Sequence, residues 1–423
     1  MCVVRCDQVR LNRASRTDKG VHALANVMTI KLECDRNYWL DGNNGADLVS
    51  QVNAKLPEDV RVFSATPVTK GYTPRAFCNG RTYDFYIPAR ALGIDAEKEG
   101  DDAIGKSLEA FQKDVLPLFC GYKPYHNFTV KRLYSKKVRS KQKQKLDEKH
   151  ERMNVREVGG DGGGIQVKRS FGDEQEKKEG EAKTVGEVLV VPADVSPDQK
   201  QDGEELNIER FCKNVKWFHT FNEKTKLDRA HYRTIHSVTC DSALIDLGKG
   251  KEEGEVQLAL RVTIEGESFM YHQIRHMIGL MIAAYRGMIP KAFISAVLSA
   301  PANVVLPFAP AHTLVLKRLS FGPFARQDFK NRDPDDKLTI TRDGEVMQNT
   351  FEDEKLRPVL GDFLSHKDWI EFERFLELWK DDLDDMSQVE RFIATHQGWS
   401  ERLALRRKDQ KENKTNKRKQ STL

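Results

Sequence analysis

Residues 14–23 read Ala14-Ser15-Arg16-Thr17-Asp18-Lys19-Gly20-Val21-His22-Ala23, a carboxylate set among cationic, hydroxyl and glycine neighbours. No helical or strand periodicity accounts for this mixture, so the segment reads as a loop. Arg16 and Lys19 flank Asp18 and favour its charged form, and Gly20 permits a sharp turn after it. The expectation is a carboxylate that stays ionised near neutral pH. The plainer alternative is an Asx-type turn, with the Asp18 side chain capping the backbone that follows.

Working outward, Met28, Ile30 and Leu32 alternate as a strand, Leu48, Val49, Val52 and Leu56 recur at helical spacing before Pro57, and residues 60–68 resume extended character. Tyr83, Phe85 and Ile87 alternate with Thr82, Asp84 and Tyr86 before Pro88. Ile104, Leu108, Phe111, Val115 and Phe119 then mark a helix that Gly121 ends. Val256, Leu258, Leu260, Val262 and Ile264 give the clearest strand of the chain. A helix is expected to start near Ser268, with Met270, Ile274, Met277, Ile278, Met281, Ile282 and Tyr285 on its apolar stripe and His272, Arg275, His276, Gly279, Ala283 and Arg286 beside it. A second helix is expected from Pro290 to about Ser299, and a closing strand over 313–319 after a Pro307-Phe308-Ala309-Pro310 linker.

These signals divide the chain into an α+β lobe over 1–130 that carries the loop, a charged insertion over 131–205 with too few apolar residues to offset the entropy of ordering, and a second α+β lobe over 206–325. A helical appendage over 326–400 carries Trp369, Phe372, Phe375, Leu376 and Trp379, then Val389, Phe392 and Ile393. A basic tail over 401–423 is expected to be unstructured.

Composition bounds the function. The chain has 423 residues, 39% of them hydrophobic, and the longest apolar run, over 277–285, is far short of a bilayer span. No membrane association is expected. Seven scattered cysteines fit neither a disulfide framework nor paired zinc ligands, which points to a reducing compartment. A formal charge of +5 is only mildly basic, but Lys and Arg concentrate over 131–145 and 402–419, where they can attract phosphate.

The eight residues from Arg16 to Ala23 resemble the active-site signature of the TruA family of tRNA pseudouridine synthases, in its eukaryotic form with lysine after the acid. Three further segments resemble the same family in the same order: Arg81-Thr82-Tyr83-Asp84-Phe85-Tyr86, His126-Asn127-Phe128-Thr129, and the fourteen residues from Gly266 to Gly279 that include His272-Gln273-Ile274-Arg275-His276. The second and third are most similar to the eukaryotic branch that modifies several tRNA positions and some other RNAs. The resemblance implies a two-lobed pseudouridine synthase fold of the α+β class, with a joined antiparallel and mixed sheet and a basic central cleft. It further implies tRNA and other structured RNA as partners and no metal or organic cofactor.

By the same resemblance Asp18 is the nucleophile, Tyr83 stacks on the everted uridine, and Arg275 pairs with Asp18, which should lower its pKa. Arg16, Arg81 and His272 are candidate substrate contacts, with Arg75 and Arg233 as further candidates for phosphate. Tyr83 also reads as a core tyrosine, and each arginine as a surface ion-pair partner. His272 and His276, spaced i and i+4, suggest a zinc hydrolase instead, although the general-base glutamate is missing and Arg275 would repel a dication. An RNA-binding protein without catalysis is the other alternative.

Two departures bear on that last reading. The family's opening strand upstream of the loop is not present in the seventeen residues before Asp18, so the first sheet is expected to lack a central piece, as in an N-terminally truncated member. Thr313 stands where the family has a glycine, which puts the local turn in question. Lys417-Arg418-Lys419 points to the nucleus, with mitochondrion and cytoplasm as alternatives.

Overall fold

The computed structural model describes residues 11–31, 45–68, 71–96, 98–129, 219–249, 256–322, 338–382 and 386–420. The insertion expected over 131–205 lies outside the described residues. The chain divides into Met1–Tyr134 with Cys212–Leu423 as one unit and Ser135–Phe211 as another, and every described element belongs to the first.

The described strands are β1 (Asn12–Arg13), β2 (His22–Ala23), β3 (Met28–Thr29), β4 (Cys78–Pro88), β5 (Gly121–Pro124), β6 (His219–Phe221), β7 (Tyr232–Cys240), β8 (Ile245–Lys249), β9 (Val256–Gly266), β10 (Ala302–Val304) and β11 (Leu314–Phe321). The helices are α1 (Ala46–Asn53), α2 (Pro74–Phe77), α3 (Asp101–Asp114), α4 (Gln273–Tyr285), α5 (Lys291–Val297), α6 (Arg342–Phe351), α7 (Arg357–Leu364), α8 (Lys367–Asp382) and α9 (Met386–Gln420). A mixed α+β fold results. Its seven-stranded sheet has the order β2-β11-β4-β9-β7-β5, with β8 also paired to β9. The β2–β11 pair is parallel and the other ladders are antiparallel.

Strands from the two halves of the sequence interleave in this sheet. β4 lies between β11 and β9, with Tyr83 opposite Leu316 on one side and Ile264 on the other. Residues 1–130 and 206–325, expected as two lobes, therefore share one sheet, and neither half can bury its strands without the other.

The alternation along β4 is real, yet both faces are covered. Tyr83, Phe85 and Ile87 join the main core with Met277, Ile278 and Met281 of α4. Tyr86, on the opposite face, packs with Leu24, Val315 and the α7 residues Leu360 and Leu364. The appendage thus supplies the second layer of the sheet. It reaches the first as well, since Trp369 of α8 meets Phe85 edge-to-face with ring centroids 6.1 Å apart.

Local differences from the sequence reading have identifiable causes. The helix expected near Ser268 starts at Gln273, because the Gln273 side chain turns back to accept the Met270 N–H at 2.8 Å and His272 takes a left-handed backbone with φ 66°. Residues 60–68 are extended but join no described ladder. The Asn53 side chain stands in for a strand neighbour, donating to the Val62 carbonyl and accepting from the Val62 N–H, each at 2.8 Å. Residues 401–420, expected to be unstructured, continue α9: no proline or glycine follows Gly398, and Glu, Lys, Arg and Gln are good helix formers. Thr313 is fully buried without positive φ, so the turn closes, with the Leu314 N–H bonded to Ala311 O at 3.0 Å, and needs no glycine.

Candidate active site

The catalytic-loop candidate leaves the small β1–β3 ladder and enters the main sheet as β2. The Ala14 N–H donates to Val27 O at 2.8 Å and the Leu24 N–H to Leu316 O at 2.9 Å, so the excursion is tied at both ends. Between them the Val21 N–H bonds to the Asp18 carbonyl at 3.1 Å, and Gly20 sits at φ 82°. That bond bears on the Asx-turn reading of Asp18. The turn is closed by the main-chain oxygen, and among the described residues no hydrogen-bond donor holds the carboxylate. An Asx turn would have used it.

Asp18 is half-buried. Burial raises its pKa above the ordinary 3.8, more than the charges of Arg275 and then Arg16 lower it. Arg275 does pull the acid down, as expected, but burial outweighs it and the net shift is upward. Its guanidinium is engaged elsewhere: Nε donates to Ala309 O at 2.6 Å, and Cζ lies 3.6 Å above the Phe308 ring. The charge still reaches Asp18, so the pairing is a field effect and not a clasped salt bridge. Burial lowers the Arg275 pKa to about 10, which leaves it cationic at neutral pH.

His272 Nε2 is 3.8 Å from Asp18 Oδ2. Burial first, then Arg275 and His276, push the His272 pKa down to about 3, so the ring is neutral and this contact is no charge pair. Its ring stacks with Tyr271 at 3.6 Å and tilts against Phe308 at 4.6 Å. His276 is also driven down, to about 4, with Nδ1 3.1 Å from Pro307 O. Nothing in this geometry favours the zinc-hydrolase alternative, since neither His272 nor His276 belongs to a group with metal-ligand spacing among the described residues. Among the described residues, the group with metal-ligand spacing is His312, His366 and Asp368 instead.

The small face of α4 admits the segment thought to be a linker. A Cβ at Gly279 would lie 2.7 Å from Pro307 O, so only glycine lets residues 307–309 lie against the helix. Phe308 thereby becomes the platform shared by Arg275, His272 and His276. Sequence reading missed it, and an aromatic held between two prolines was the available signal.

The core reading of Tyr83 holds. It is a core residue on β4, T-shaped against Phe269 at 5.2 Å, and its hydroxyl hydrogen-bonds Ser15 in the loop, where the charge of Asp18 reaches it. Arg81 is structural here: it donates to Glu267 O and, at 3.5 Å, to Ala14 O. Arg233 donates to Ala230 O and Tyr232 O. Arg16 and Arg75 are exposed.

The His126-Asn127-Phe128-Thr129 motif is architectural as well. His126 Nε2 contacts Ala302 O, Asn127 donates to Val297 O at 2.8 Å, and the Thr129 hydroxyl donates to Tyr271 O at 2.7 Å, steadying the approach to His272.

The family model described as tRNA pseudouridine synthase matches residues 215–322, which include β7, β9, α4 and the Phe308 platform. Similar curated proteins include tRNA pseudouridine synthase 1 of Yarrowia lipolytica, 26% identical over 384 residues, 84% of this chain and 64% of that protein. tRNA pseudouridine synthase 2 of Schizosaccharomyces pombe is 24% identical over 76% of this chain and 68% of its own length. A tRNA pseudouridine(27/28) synthase of Saccharomyces cerevisiae is 37% identical over 75 residues, 18% of each chain. The chain thus spans just under two thirds of the first of these relatives and just over two thirds of the second. That model lies on the part of the chain bearing Arg275, and the two longer alignments run across most of its length, so what the chain is similar to, in both comparisons, is tRNA pseudouridine synthases.

Proposed function

We propose that this protein isomerises uridine to pseudouridine in tRNA, with Asp18 as the nucleophile that opens the glycosidic bond before the base is rejoined through C5. The observation that carries the reading is the state of Asp18: a half-buried carboxylate, free of hydrogen-bond donors among the described residues, in the fields of Arg275 and Arg16. A donor-free acid keeps its lone pairs for a substrate carbon, and two cations favour its ionised form. Tyr83 supplies a ring for the everted base, Arg275 and His272 line the approach, and Arg16 meets the RNA around it.

Basic residues along α9 add phosphate affinity that weakens with salt. We extend the substrate range to other structured RNAs and place the protein in the nucleus, on the strength of Lys417-Arg418-Lys419. Mapping new pseudouridines in unmodified tRNA after incubation with the purified chain tests the reading. New pseudouridine at discrete positions is expected; tRNA that binds and stays unmodified would leave only an RNA-binding relative.

A further inference from the structure

Gly20, two residues beyond Asp18, is pressed from one side by a ring the proposed chemistry does not use. A Cβ there would lie 2.9 Å from His312 Cε1 and 3.0 Å from Nδ1, so the imidazole rests directly on the glycine backbone. His22 also bonds to the His312 backbone, and its own ring lies 5.7 Å from Phe363. One residue therefore touches the catalytic turn at two points.

His312 is itself held by the C-terminal helices. Its ring stacks on Phe363 of α7 with centroids 4.6 Å apart and planes 10° from parallel, and Nε2 lies 3.0 Å from Asp368 Oδ2. His366 also approaches Asp368, with Nδ1 3.3 Å from Oδ1. The Asp368 backbone N–H, however, donates to that same Nδ1 at 3.2 Å. His366 thus meets the main chain of Asp368 as well as its side chain. His312 approaches the carboxylate more closely, at 3.0 Å against 3.3 Å. Asp368 stands in the first turn of α8, where the helix dipole favours its negative charge, and that charge also reaches Arg275.

We propose that Asp368 and His312 are a positioning pair through which the C-terminal helices fix the Asp18 turn for catalysis. Neither touches the substrate. Asp368 orients the imidazole, and the imidazole sets the height of Gly20 and hence the aim of Asp18. The inference rests on Asp18 being the nucleophile, and it gives the appendage, which lies beyond the residues the family model matches, a part in the chemistry.

The test compares Asp368→Ala, His312→Ala, their double variant, Asp368→Asn and His312→Gln. Two quantities are read: the single-turnover rate of pseudouridine formation beside tRNA affinity, and amide hydrogen exchange across residues 18–22. Each alanine variant should lose on the order of tenfold to a hundredfold in rate, with affinity within about twofold. The double variant should be no slower than the worse single, because both remove one linkage. Asp368→Asn keeps an acceptor and His312→Gln a donor, so each should recover to within about threefold of the parent. Exchange at Val21 should quicken in the alanine variants only. Unchanged exchange at residues 18–22 in folded alanine variants would overturn the proposal, as would rate losses that multiply in the double variant. A parent chain that makes no pseudouridine refutes the proposed function, and the exchange measurement still decides whether the pair fixes the turn.

Discussion

Two carboxylates in this molecule, Asp18 in the turn and Asp84 in the middle of β4, share the direction of their pKa shift and differ in how their oxygens are satisfied. Burial raises both above the ordinary carboxylate value, and cations pull both back. Asp84 is almost wholly buried, and the Thr263 hydroxyl across the ladder donates to it at 2.8 Å. It also lies in the fields of Lys317 and Arg261, and of Glu352, which Lys317 bridges. Asp18 has positive fields and a neutral imidazole nearby but no donor among the described residues. A satisfied acid is part of the scaffold, and a raised pKa alone does not separate it from Asp18; the count of hydrogen-bond donors does, and on the function proposed above the donor-free acid is the one that reacts.

The largest effect expected from disturbing this contrast lies at Gly20. Gly20→Val places a branched side chain at φ 82° against His312 and should cost on the order of a hundredfold in turnover while tRNA binding persists. Turnover within a few-fold of the parent would mean that the turn need not be held.

Arg275→Lys retains a charge near Asp18 but loses the Nε bond to Ala309 O and the stacking over Phe308; a loss of about tenfold in kcat/KM is expected, and a silent substitution would reduce the arginine to a point charge.

Asp84→Ala tests the other member. It strands the Thr263 hydroxyl and should lower stability by about 1–3 kcal/mol in chemical denaturation, with turnover of the folded enzyme unchanged.

The smallest effect is linked to pH. Because the Asp18 pKa is raised on folding, its ionised form costs stability at any pH above both the folded and unfolded values, and the cost disappears below the unfolded value near 3.8. Asp18→Asn should therefore melt slightly higher than the parent at pH 7 and together with it near pH 3. A lower melting point at pH 7 would mean that Asp18 is held by donors after all.

Much of the fold was legible because its elements carry strong periods. Leu260, Val262 and Ile264 of β9, the α4 stripe from Ile274 to Ile282 and the cluster of Trp369, Phe372 and Trp379 all mark buried faces, and each of these residues is buried. The interleaving of strands was not legible, since pairing β4 with both β9 and β11 is a long-range choice that no local pattern encodes. At the site, Asp18 and Arg275 were visible because charge amid glycine and aromatic residues has no structural period to explain it. Phe308, His312 and Asp368 were not, because their importance comes from contacts made across the chain. The sign of the Asp18 shift was misjudged for a related reason: sequence proximity displays the cations but not the desolvation, which arises only once the chain has folded around the turn.

The central contrast is tested most directly by single-turnover pseudouridine formation on one tRNA by Asp18→Asn and Asp84→Asn, with tRNA affinity measured beside it. Asp18→Asn should bind tRNA and form no pseudouridine, while Asp84→Asn, which keeps an acceptor for Thr263, should turn over like the parent. Product from Asp18→Asn, or a folded, tRNA-binding Asp84→Asn that forms none, would contradict the assignment of the chemistry to Asp18.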